Sequence, residues 1–151
     1  MLMFIQWIMN QKKQMEAHFK LNDAEFLTHF ESCSLDPSVF SHEAHLRLAW
    51  LQISKHGIDK AVSNIQKQLQ KYVAHIGAED KYHVTLTVAA TMAVYHFMQQ
   101  SSAKDFKAFI DEFPQLKEKF RELIASHYGF DVFRSEKARK EFIEPDKIPF
   151  D

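Results

Sequence analysis

Apolar residues recur along most of this chain at three- and four-residue intervals, the spacing of helices that bury one face. Ala61, Ile65, Leu69 and Val73 form the cleanest stripe and predict a helix from about Ile58 to Ile76. Upstream, Ser41 stands as N-cap to a run that should end at His56, after an Asp36-Pro37-Ser38 turn. Downstream, Asp80 is the expected cap of the most apolar segment, Lys81 to Gln100. A further helix is expected from an Asn22 or Asp23 cap to about Ser32. Two shorter ones follow at about 103–112 and 114–128, then a short basic helix around Ser135–Phe142. A first amphipathic segment covers about residues 2–18.

No run alternates apolar and polar for long, and no hairpin turn pair occurs. Gly57, Gly77 and Gly129 each follow a helical run, the place where a left-handed residue ends a helix. The pattern predicts an all-α fold: a single-domain bundle of about six to seven helices with an up-down core. Residues 1–18 form an N-terminal extension helix, 22–128 the bundle, and 129–151 a tail that packs back. Short connections at Gly57 and Gly77–Asp80 make successive helices antiparallel neighbours. The helices starting at Ser41 and Asp80 are then parallel, and their N-termini share one end of the bundle.

Composition narrows the class. The chain has 151 residues, enough for one domain with a substantial core, and 46% of them are hydrophobic, which argues against disorder. A net charge of −1 gives no field that would favour nucleic acid or an anionic membrane surface. The lone Cys33 leaves no internal disulfide and fits a reducing, cytoplasmic setting. The opening Met-Leu-Met-Phe-Ile-Gln-Trp-Ile-Met is too short to span a bilayer and lacks the charged start and cleavage site of a signal peptide. It is expected to pack on the bundle or on a second copy in a homodimer, and Met15 is a second candidate start.

The convergence of helix starts singles out His42, His45 and His83, titratable groups in the first turns of otherwise apolar helices. His42 and His45 share a face at i, i+3, so with His83 they are candidate ligands for a divalent transition metal such as Zn, Fe, Mn or Ni. Any metal must be held by His and carboxylates, with Glu43, Glu79 or Asp80 as oxygen donors. Alternatively, paired helix N-termini with Arg47 nearby suit an anion. Arg47 also stands four residues after Glu43, the spacing of a plain surface ion pair. Thr87 shares a face with His83, and Thr85 or Thr87 could position a ligand or bond back to the helix. Trp50 and Tyr82 read as core or cleft wall. His18, His29, His56 and His75 read as surface, and Cys33 has no base beside it.

The order Phe40-x-His42-x-x-His45-x-Arg47-x-Ala49-Trp50, then Tyr82-His83-x-Thr85-x-Thr87, then Ala138-Arg139, Phe142 and Pro145-Asp146 resembles a family of small all-helical bacterial proteins with no established activity. The likeness spans about Asn22 to Asp146. Relatives often carry an acid where this chain has Val84 and an aromatic near Ala89 and Ala90. The resemblance implies a helical bundle in bacterial cytoplasm and groups the two His motifs into one site.

The expected function is therefore binding of a small molecule, an anion or a metal in a His-lined pocket. His42, His45, Arg47, Trp50, Tyr82, His83, Thr85 and Thr87 are the candidate ligand-binding residues; no reaction is identified. The competing expectation is a non-catalytic homodimer or interaction module with structural histidines and a functional N-terminal apolar segment.

Overall fold

The computed structural model describes Met3 and residues 15–150. The helix expected over 2–18, and with it the N-terminal segment expected to pack on the bundle or on a second copy, falls largely outside the described residues. Of that span, Ala17–Lys20 forms a 3-10 turn. Eight α-helices follow: α1 Asp23–Glu31, α2 His42–His56, α3 Ile58–His75, α4 Val84–Met98, α5 Phe106–Glu112, α6 Gln115–Glu118, α7 Phe120–Ala125 and α8 Glu136–Lys140. The described residues contain no strand.

Local chemistry accounts for most boundaries. Asn22 caps α1 in a capping box with Glu25, and Ser41 caps α2 by accepting from the Ala44 amide. Gly57 ends α2 at φ +82°, a conformation costly for any residue with a Cβ. Gly129 differs from the expected left-handed cap. Its amide donates to Asp146 Oδ1 at 2.7 Å, and a Cβ would meet that carboxylate at 3.0 Å, so it is a close-approach glycine.

The start of α4 is also corrected. Glu79–Lys81 forms a 3-10 turn, and His83 rather than Asp80 is the cap, its Nδ1 accepting from the Leu86 amide at 3.1 Å. The helix expected over 114–128 is two. Lys119 leaves the helical conformation between α6 and α7, and His42 Nε2 donates to the Leu116 carbonyl that an unbroken helix would offer to residue 120.

The centre is formed by α2, α3 and α4, each packed on the other two, with α8 lying across α4. Phe26, Phe30, Leu46, Tyr72, Phe109 and Ile124 are almost wholly buried in one continuous apolar core. Each such side chain contributes about 1.5–3 kcal/mol. Thr85 binds the tail to this centre: its hydroxyl donates to the Glu141 carbonyl at 2.8 Å and accepts from the Ile143 amide at 3.1 Å.

Candidate functional site

The N-terminal ends of α2 and α4 meet the C-terminal end of α3 around a cavity of about 500 Å³. This is the juxtaposition expected from an up-down-up order. Leu48, Ala49, Ile65, Leu69 and Ala90 supply apolar wall, with Phe40 and Phe120 beside them. Ala89 and Ala93 are buried in helix packing instead, whereas the small Ala90 leaves open volume. His42, His45, Tyr82, His83 and Thr87 all line the cavity, so five of the eight sequence-nominated residues converge there.

The hydrogen bonds of the three imidazoles define what each can do. His83 uses both nitrogens, Nε2 donating to the Val132 carbonyl at 3.1 Å and Nδ1 capping α4. Burial holds it below the usual histidine range. His42 commits Nε2 to Leu116 and packs on Phe120, with 4.6 Å between ring centroids. His45 donates from Nδ1 to the Ser41 carbonyl at 2.9 Å and stacks on Phe40 at 3.8 Å. Its Nε2 has no protein partner among the described residues, yet it remains accessible because the ring faces the cavity. Desolvation, with His42 adding to it, lowers the His45 pKa to about 4, so the ring is neutral at physiological pH and Nε2 presents a lone pair. The hydroxyls of Thr87 and Thr91 donate to the carbonyls of His83 and Thr87 at 2.7 and 2.9 Å, leaving oxygen lone pairs outward.

The three histidines do not bring ligand atoms within 4.8 Å of one another, so the metal set His42, His45 and His83 is not assembled among the described residues. Each ring instead serves a backbone carbonyl first: that of Leu116 at the break between α6 and α7 for His42, that of Ser41 for His45 and that of Val132 for His83.

Three nominated residues lie elsewhere. Trp50 is buried against Phe106 and Phe109 as core. Thr85 holds the tail. Arg47 is buried and does not pair with Glu43. It donates to the carbonyls of His18 and Leu21 at 2.7 and 2.9 Å and to Asp23 at 2.9 Å, with its guanidinium 4.7 Å from the Phe26 ring centroid. A fixed fork of five donors suits a junction of several acceptors better than a single i, i+4 partner.

Glu43, freed from Arg47, belongs to a second cluster with Glu16, His18 and Lys117. His18, expected at the surface, is 0% exposed and donates from Nε2 to Glu43 Oε1 at 2.7 Å. Its Nδ1 faces Arg47 Nη1 at 3.4 Å. Lys117 Nζ bridges Glu16 Oε2 and Glu43 Oε2 at 2.5 and 2.8 Å, and Ser41 donates to Glu16. Burial raises the Glu43 pKa, but the His18 and Lys117 contacts outweigh it and hold the carboxyl below its usual range. Glu16, His18 and Glu43 have ligand atoms within 4.8 Å, a spacing that could hold a metal ion, and here the Lys117 ammonium supplies the positive charge. No local spacing links these residues: His18 and Glu43 are 25 apart, Glu43 and Lys117 74. The sequence offers no cue beyond the place of Glu43 in the first turn of α2.

No protein-family model, no curated protein and no solved structure matches this chain, which leaves the chemistry of the cavity as the ground for a functional reading.

Proposed function

We propose that this chain is a small-molecule-binding protein whose ligand occupies the open cavity between α2, α3 and α4. The observation that carries the reading is an apolar cavity of about 500 Å³ lined by His45, whose Nδ1 is committed to the Ser41 carbonyl while its Nε2 has no hydrogen-bond partner among the described residues. Mostly apolar walls with a few oriented polar groups, in the range of roughly 300–1,000 Å³, are what small-molecule sites share. The backbone partners of His42 and His83 favour an organic ligand over a metal held by the three histidines. A pKa near 4 makes His45 a weak general base at neutral pH, which favours binding over acid–base catalysis. Membership of the bacterial family that the motifs resemble, and a cytoplasmic setting in keeping with the buried free thiol of Cys33, belong to this proposal. Among the described residues no helix is long and apolar enough to cross a membrane.

The test is methyl NMR with a neutral aromatic probe, 2-naphthol. Methyl resonances of Leu48, Ile65, Leu69 and Leu86 are expected to shift together, and Ala90→Phe, which fills the cavity, is expected to abolish those shifts while the protein stays folded. Shifts that persist in Ala90→Phe, or occur only away from these residues, would place binding elsewhere and end the pocket reading.

A further inference from the structure

We infer that the cavity selects a neutral, largely apolar molecule that donates one N–H or O–H hydrogen bond to His45 Nε2, rather than an anion or a metal ion. This rests on the binding role proposed above and names the chemistry that the same site accepts.

The tautomer of His45 is fixed by its partner. The Ser41 carbonyl can only accept, so the ring proton sits on Nδ1 and Nε2 is left as an acceptor facing the cavity. Phe40 stacks on the ring with an interplanar angle of 24° and so fixes its plane, and a half-turn of the ring in that plane would lose the Nδ1 hydrogen bond. The deeper polar groups agree in sign. Thr87 and Thr91 spend their protons on helix carbonyls, and Tyr72 spends its own on the Leu35 carbonyl at 2.8 Å. The free donors among the lining residues are on the outer side. Lys81 is exposed, and the Tyr82 hydroxyl meets the exposed Gln70 at 3.4 Å. The interior side chains are thus acceptors, since Tyr72, Thr87 and Thr91 keep no hydroxyl proton for an anion.

An anion would also need compensating charge. Arg47 is turned away to Asp23 and to the carbonyls of the N-terminal turn, and Lys81 is the one cation among the lining residues. The amides at the third helical positions of α2 and α4, Ala44 and Leu86, are taken by Ser41 Oγ and His83 Nδ1. A carboxylate moved into such walls would lose its hydration with little in return. A donor on an otherwise apolar molecule would give Nε2 its missing partner and bury apolar surface as well.

The experiment compares three probes of one shape: 2-naphthol, which donates; 2-methoxynaphthalene, which cannot; and 2-naphthoate, which is charged. Calorimetric titration is expected to give 2-naphthol roughly tenfold tighter binding than 2-methoxynaphthalene, the value of one hydrogen bond, with 2-naphthoate weakest. In wild-type protein the ¹⁵N resonance of His45 Nε2 should move on adding 2-naphthol and stay in place with 2-methoxynaphthalene. His45→Phe, which keeps the ring and loses the acceptor, should bring the two neutral probes to equal affinity. Equal binding of the two neutral probes to wild type, an unmoved Nε2 resonance, or tightest binding of 2-naphthoate would overturn the donor inference while leaving the pocket standing. Failure of all three to shift any cavity methyl would remove the pocket and the inference together.

Discussion

At the scale of single residues, the state of His45 follows from where its two nitrogens point. One is held by a carbonyl and the other opens on a cavity, and the ring is kept from charging by loss of water around it. The sign of the resulting pH dependence is fixed. The folded pKa of about 4 lies below the ordinary 6.5, so between these values the unfolded chain binds the proton and the folded one does not. Stability is therefore present above pH 6.5 and lost as the pH falls toward 4, by about 2 kcal/mol at pH 5. Glu43, also lowered, acts in the same direction but only below its ordinary 4.5. Urea unfolding at pH 7 and pH 5 should show this loss in wild type and a clearly smaller one in His45→Phe. Equal losses in both proteins would remove His45 as the source.

At the scale of elements, histidines do work that serine or aspartate usually does. His83 caps α4 with one nitrogen and holds the segment at Val132 with the other, while His42 takes the carbonyl that α6 leaves unpaired before α7. His83→Ala should cost about 1–2 kcal/mol, combining a lost cap with an orphaned carbonyl. His83→Asn, which can still cap, should recover about half of that. Chemical denaturation decides it: an Ala variant as stable as wild type would rule the capping role out. The same logic explains the shift of the start of α4 from the expected Asp80 to His83. Asp80 lies within the 3-10 turn, and the imidazole three residues before Leu86 supplies the acceptor.

At the scale of the whole molecule, the tail closes the bundle through Thr85, which gives one hydrogen bond to the Glu141 carbonyl and receives one from the Ile143 amide. Tyr128 and His127 add bonds to the carbonyls of Ile143 and Ile148 at 2.7 and 2.6 Å. Because Thr85 is wholly buried, Thr85→Val keeps the shape and orphans both backbone groups. Hydrogen exchange should then accelerate at least tenfold at the Ile143 amide, with the amides of α2 and α3 unchanged. Uniform acceleration across the molecule, or none at Ile143, would show that the tail is not held at this point. Another long-range anchor is the Glu16–His18–Glu43–Lys117 cluster, which fixes the segment before α1 to α2 and α6.

The sequence by itself determined the helical class, most helix positions, and the meeting of His42, His45 and His83 around one cavity. Periodicity, Ser41, Asn22 and Gly57 are local signals, and parallel helix ends follow from short connections. Only the tertiary structure decided what each polar group does there. Arg47 had an equally plausible partner four residues away in Glu43, yet Asp23 and two carbonyls took it. His18 looked like surface, yet it is buried and donates a hydrogen bond to Glu43, 25 residues on. Thr85 and Thr87 are two residues apart and read alike, but one faces the tail and the other the cavity. Helix formation is governed by neighbours in the chain, whereas a buried polar group is governed by whichever partner the folded core brings to it, and no spacing encodes that choice.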